Sequence, residues 1–150
     1  MGLDMYLSRK YYVKNWNHMG EEEKHTITVL KGGKPSDIPA EKITYIETEE
    51  MYWRKANAIH QWFVKNVQDG EDDCKSYYVD REQLKELLDT VTAVLADHSK
   101  AGELLPSQAG FFFGSTDYDE WYFKDLEYTK EELERLLVDE YGEYEYQSSW

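Results

Sequence analysis

The sequence predicts an α+β domain, a small and mainly antiparallel sheet packed by about three helices, on three observations. Leu3, Met5 and Leu7 alternate with Asp4, Tyr6 and Ser8, the period of a half-buried strand. Two longer stretches, 49–67 and 80–96, carry apolar residues at helical spacing. Short β-branched or aromatic runs at 26–30, 43–46, 77–79 and 110–114 lie among the breakers Gly32-Gly33, Pro35, Pro39, Gly70 and Pro106. No repeat and no clear linker divides residues 1–150, so one domain is expected.

Taken in order, the first strand continues past residue 7 into an exposed loop within 9–25, which holds Lys10, Lys14 and Glu21-Glu22-Glu23. Thr26-Ile-Thr-Val-Leu30 and Ile43-Thr-Tyr-Ile46 read as the second and third strands. Thr48 is placed to cap a helix starting near Glu49, with Tyr52, Ala56, Ile59, Phe63 and Val67 on its apolar face. Gly70 and Glu71-Asp72-Asp73 end that helix, and Tyr77-Tyr-Val79 reads as a brief strand. Asp80 and Gln83 form a capping-box pattern for a second helix through about Ala96, with Leu84, Leu87, Leu88, Val91 and Leu95 inward.

Gly110-Phe-Phe-Phe-Gly114 reads as a buried strand that ends at a helix start. Thr129 and Glu132 form another capping box, predicting helix from Lys130. Residues 118–128 stay open between helix and loop. Tyr118, Tyr122, Leu133 and Leu136 would share a face there, but Asp125 and Thr129 would fall on it too. The segment 138–150 reads as a frayed acidic and aromatic tail or an added edge strand.

Composition narrows the class. Hydrophobic residues make up 41% and aromatics 15%, enough for a core despite a mean hydropathy of −0.81. The 13 Tyr and 5 Trp bring large rings with polar tips, suited to cores and to recognition. Acids outnumber bases 31 to 17, a net charge of −14, which opposes direct nucleic-acid binding. The same charge suits an imitation of a polyanion. Cys74 stands alone, which fits a reducing cytoplasm and excludes a disulfide framework. The first residues lack a signal-peptide pattern, and no apolar run reaches the roughly 20 residues of a membrane helix.

Two constellations carry the candidate chemistry. On the expected helix, at ~100° per residue, Trp53, Arg54, Asn57 and His60 gather along one edge. Indole stacks on a base, guanidinium takes phosphate or carboxylate, and amide and imidazole read hydrogen-bonding edges. The plainer alternative is a core helix whose His60 makes one structural hydrogen bond. The second is the turn Ser115-Thr116-Asp117-Tyr118, whose hydroxyls suit an anion at a helix start. Its plainer alternative is simple capping by Ser115, Thr116 or Asp117. Arg9 and Lys10 would join Arg54 in a local basic pocket. No P-loop, nucleophile elbow, EF-hand or HExxH spacing occurs, so no catalytic residue, metal or cofactor is expected.

Three blocks, Met1-Gly-Leu-Asp-Met-Tyr-Leu7, Tyr52-Trp-Arg-Lys-Ala-Asn-Ala-Ile-His60 and Gly110–Phe123, resemble a family of small proteins in bacteriophages and their bacterial hosts. The resemblance implies a phage-type accessory protein in the cytoplasm of the bacterial host. By analogy, such proteins disarm host defences. The expected function is therefore capture of a small anionic, nucleotide-derived signal without turnover. The alternative is an acidic, nucleic-acid-mimicking inhibitor of a host defence protein, with Glu21–Glu23, Glu71–Asp73 and Asp139–Tyr146 supplying the charge. A nucleotide-signal hydrolase comes third. Exposed aromatics also admit a homodimer.

Overall fold

Alternation at the start of the chain does make a strand. In the computed structural model, which describes residues 2–150, β1 spans Asp4–Tyr12, and Leu3, Met5 and Leu7 are fully buried. β1 lies inside a four-stranded antiparallel sheet with β4 (Tyr45–Arg54), β5 (Tyr77–Val79) and β6 (Glu143–Ser149), in the order β4-β1-β6-β5. The chain divides into two compact units. One comprises the residues up to Arg9 together with Glu49–Trp150, and the other is Lys10–Thr48.

The smaller unit has little interior. Val13 is buried there and its N–H donates to Thr44 O at 2.8 Å. The expected strand at 26–30 reduces to a two-residue ladder, β2 (Leu30–Lys31) with β3 (Lys34–Pro35). Gly32 and Gly33 both take positive φ, the backbone that a tight hairpin turn requires. Asn15 and the backbone of His25 exchange two hydrogen bonds, of 2.7 and 2.8 Å.

In the larger unit the expected helix from Glu49 is not formed. β4 carries on to Arg54, and α1 is confined to Asn57–Asn66. Period 2 wins because it buries Met51 and Trp53 together while Tyr52 and Arg54 face outward. A helix would have sent Met51 and Trp53 to different faces.

The segment 138–150 is neither frayed nor an edge. β6 sits between β1 and β5, with Tyr77 opposite Tyr146 and Val79 opposite Tyr144. Its alternation explains the placement: Tyr144, Tyr146 and Ser148 are buried while Glu143, Gln147 and Ser149 are exposed.

α2 (Arg81–Ala96) starts on the expected capping box, with Asp80 accepting from Gln83 N at 2.7 Å and Gln83 Oε1 accepting from Asp80 N at 3.0 Å. Leu84, Leu87, Val91 and Val94 are buried on it, with Leu88 and Leu95 partly buried beside them. A short turn of helix, α3 (Ala101–Leu104), follows. α4 then runs unbroken over Glu120–Leu136 and packs on α2. Its cap is Asp119, which accepts from Trp121 N and Tyr122 N at 3.1 Å.

Thr129 is therefore no cap. It lies buried in mid-helix, donating to Asp125 O at 2.7 Å and accepting Trp53 Nε1–H at 2.8 Å. Gly110–Gly114 is a turn and not a strand. Phe111 is 94% exposed whereas Phe113 is buried, and a single bond from Leu3 N to Phe112 O (3.0 Å) links it to the strand start. Among the described residues no helix is long and apolar enough to cross a membrane.

Candidate functional site

Where β4 gives way to α1, Lys55 adopts a positive φ of 57°, and the chain turns sharply into Asn57. Asn57 is buried and fully used. It donates to Phe113 O (3.0 Å) and Ser115 O (2.8 Å) and accepts from Gln108 N (2.9 Å). Those three bonds lash residues 108–115 onto the start of α1. Gly114, at φ +84°, lies so close to Lys55 that a Cβ there would stand 3.1 Å from the Lys55 Cβ.

The result is a cavity of about 290 Å³. Arg54 and Lys55 enter it from the end of β4, and Ser115, Asp117 and Asp119 from the loop. Trp121, Tyr122, Asp125 and Leu126 come from α4, while Ala58 and Ile59 supply apolar lining from α1. The hollow joins apolar lining to two cations and three carboxyl groups, and concave sites with convergent polar groups of this kind are where small molecules bind.

Several sequence candidates lie elsewhere. Trp53 is 2% exposed, and its ring packs edge-on against Phe63 and Tyr128, so it is core and offers no stacking face to a ligand. His60 is fully buried, with Nδ1 2.7 Å from the Tyr146 hydroxyl and Nε2 3.0 Å from Asp72 Oδ2. A carboxylate can only accept, so Nε2 carries the proton and Nδ1 accepts from Tyr146. Burial drives the Tyr146 hydroxyl well above the ordinary phenol range, which keeps that proton in place.

Arg9 donates to Asp139 Oδ2 at 2.7 Å and to Tyr141 O at 2.9 Å, and it does not line the cavity. Thr116 contributes a carbonyl to Ser107 Oγ, and the Tyr118 hydroxyl accepts from Ser107 N at 3.3 Å; neither side chain lines the cavity. Ser115 Oγ accepts from Asp117 N at 3.1 Å, closing the turn. Arg54, Asn57, Ser115 and Asp117 are thus the candidates that the structure brings to one hollow, with Asn57 as its brace.

Lys55, Asp119, Trp121 and Asp125 are the residues that sequence reasoning missed. A signal existed for Asp125, which interrupts the apolar face of Tyr122, Leu133 and Leu136. Its carboxyl is raised from 3.8 to about 6, first by burial and then by the charge of Asp119.

Arg54 also differs from the other arginines. Arg9, Arg81 and Arg135 are each bonded to carboxylates or carbonyls. The Arg54 and Lys55 side chains make no hydrogen bond or ion pair among the described residues, while the Lys55 backbone bonds Leu3 and Asn57. The acidic run 71–73 is, by contrast, occupied. Asp72 holds His60 and Trp150 Nε1, while Asp73 holds the Tyr77 hydroxyl at 2.8 Å and Lys75 at 3.4 Å. Among the described residues no group of three or more His, Cys, Asp or Glu could hold a metal ion.

A second hollow, of about 460 Å³, lies among Phe111, Phe112, Phe113, Gln61 and Trp150. Among the described residues Asp72 is the one acidic or basic side chain that lines it, and that carboxylate is already engaged. Compared with protein-family models, with curated proteins and with solved structures, the chain finds no match in any of the three.

Proposed function

We propose that the protein binds a small anionic, nucleotide-derived ligand in the Arg54–Lys55 cavity and holds it without turnover. The biological role that goes with this reading is that of a phage-type accessory protein, withdrawing a signal from a host defence in the bacterial cytoplasm. One observation carries it. Arg54 and Lys55 follow one another on the cavity wall, and neither side chain has a hydrogen-bond or ion-pair partner among the described residues, in a chain of net charge −14. Two adjacent cationic side chains without a carboxylate bonded to them among the described residues favour an anion supplied from outside. Long-range repulsion by the acidic surface is screened over about 8 Å at physiological salt, so the groups of the hollow itself set binding, Arg54 and Lys55 against Asp117, Asp119 and Asp125. Trp121 and Tyr122 add aromatic lining for a planar group.

The acidic mimic of nucleic acid draws less support, because Asp72 and Asp73 serve internal hydrogen bonds and are not freely displayed. Thermal-shift screening with nucleoside phosphates, cyclic nucleotides and ADP-ribose derivatives tests the proposal. A ligand at a hundredfold excess over Kd should stabilise by about 2.7 kcal/mol. The shift should vanish in Arg54→Ala, and heat denaturation should return the ligand unchanged. A shift retained in Arg54→Ala, or a chemically altered ligand, would overturn it.

A further inference from the structure

We infer that the second hollow, lined by Phe111, Phe112, Phe113 and Trp150, is a site for a small quaternary ammonium cation, with the Asp72 carboxylate supplying the countercharge. This site does not depend on the Arg54–Lys55 cavity or on what binds there.

Four aromatic rings line one hollow of about 460 Å³. Phe111 and Phe112 meet at 4.7 Å between centroids and 87° between planes, and Phe113 and Trp150 at 6.2 Å and 70°. Rings so steeply inclined to one another bound a space on more than one side, which a parallel stack does not do. The turn that carries three of them is tied down by its backbone. Asn57 accepts from Gln108 N and donates to Phe113 O, while Leu3 N donates to Phe112 O. Gly110 is required there, because a Cβ on it would stand 2.6 Å from the Phe113 ring. Yet Phe111, between these ties, is 94% exposed. Packing within the chain gives that ring little beyond Phe112, and a bound molecule is what it is placed to cover.

Asp72 decides the sign of that molecule. Its Oδ2 accepts from His60 Nε2 at 3.0 Å and its Oδ1 from Trp150 Nε1 at 2.9 Å. Both donors are neutral, because His60 Nδ1 is occupied in accepting from Tyr146 and an indole carries no charge. The carboxylate is thus hydrogen-bonded but not charge-balanced. Among the described residues no Lys or Arg is paired with it, the nearby Lys75 being bonded to Asp73, and none lines the hollow. With its side chain 26% exposed, that charge is screened less than one on the open surface.

These two features select a quaternary ammonium. A primary amine would bring N–H donors to a carboxylate whose oxygens are already in use. A quaternary nitrogen has no N–H to satisfy. It needs only a negative charge nearby and the electron-rich faces of aromatic rings. The net charge of −14 adds to the attraction, drawing in a cation where it would repel an anion.

NMR titration following the Trp150 indole N–H tests this with choline, ethanolamine, phosphocholine and neohexyl alcohol, the uncharged isostere of choline in which carbon replaces the nitrogen. Choline should bind at least about fivefold tighter than the isostere. It should also bind tighter than ethanolamine, and tighter than phosphocholine, whose phosphate meets an uncompensated acid. Phe111→Leu keeps an apolar rim but removes a ring face, and should weaken choline at least about threefold while the isostere loses little. Asp72→Asn should lower choline to the level of the isostere; because that change also disturbs His60, Phe111→Leu on the exposed rim carries the test if the first variant fails to fold. Equal binding of choline and isostere, choline affinity unchanged in Phe111→Leu, or no shift of the indole signal with choline would each overturn the inference. Tighter binding of ethanolamine would overturn it in favour of a hydrogen-bonding amine, and tighter binding of phosphocholine in favour of a phosphorylated headgroup.

Discussion

Trp53 Nε1–H donates to Thr129 Oγ1 across 2.8 Å of buried interior, joining the end of β4 to the middle of α4. Thr129 satisfies itself as well, through Asp125 O. The indole that sequence placed at a ligand site is therefore spent on holding a strand to a helix.

Thr129→Val keeps the shape but strands the indole donor in an apolar interior. The expected loss is about 1–3 kcal/mol of unfolding free energy, read by urea denaturation. Trp53→Phe in the Thr129→Val background should cost less than the sum of the two single changes, since both remove the same bond. Additive losses would show that the bond contributes nothing.

Tyr146→Phe removes the donor to His60 Nδ1 while leaving the ring stacked on Phe63 at 3.8 Å. Stability should fall by about 1–3 kcal/mol, with ligand binding at Arg54 unchanged. His60→Phe should fail more severely, because it also leaves Asp72 without its ring partner. Loss of ligand affinity in folded Tyr146→Phe would place His60 in the binding machinery after all.

Gly114→Ala asks a residue with a side chain to hold φ +84° against Lys55. A cost of about 1 kcal/mol is expected from backbone conformation alone. Because the added methyl presses on the Lys55 stem, ligand affinity should drop as well. An unchanged thermal shift with ligand would mean that Lys55 is not held in place by this glycine.

Asp125 makes stability depend on pH in a defined window. Its folded pKa of about 6 lies above the ordinary 3.8, so between those values the folded chain keeps a proton that the unfolded chain has released. This group's contribution therefore declines as pH rises from 4 to 6 and remains a penalty above it. Asp125→Asn should flatten that decline and stabilise the protein at pH 7 by about 1 kcal/mol, a value reduced for partial exposure. A parallel pH profile in the variant would refute the assignment.

What the sequence revealed depended on whether a pattern was local. The Asp80–Gln83 box and the leucines of α2 were legible because cap and periodicity agree over consecutive residues. The Thr129–Glu132 pattern misled because a threonine can bond its own helix backbone, and Trp53 lies far away in sequence. For residues 45–57 the helical spacing of Tyr52, Ala56 and Ile59 competed with the period-2 burial of Met51 and Trp53. Sheet pairing decided between them, and no local rule contains it. Arg54, Ser115 and Asp117 were found from their chemistry. Asp125 needed the residues of the loop and of β4 around the same hollow before its place on an apolar face made sense.

The position of β6 reaches beyond stability. Tyr146 pairs with Tyr77, and Tyr144 with Val79, across nearly half the chain length. Until residues 143–149 have left the ribosome, β1 and β5 have a vacant slot between them and their ladder edges lie bare. Such late, long-range closure slows folding and exposes unpaired strands to association. Nascent chains stopped short of residue 143 should therefore depend on chaperones, which makes translation itself the most vulnerable stage in the life of this protein.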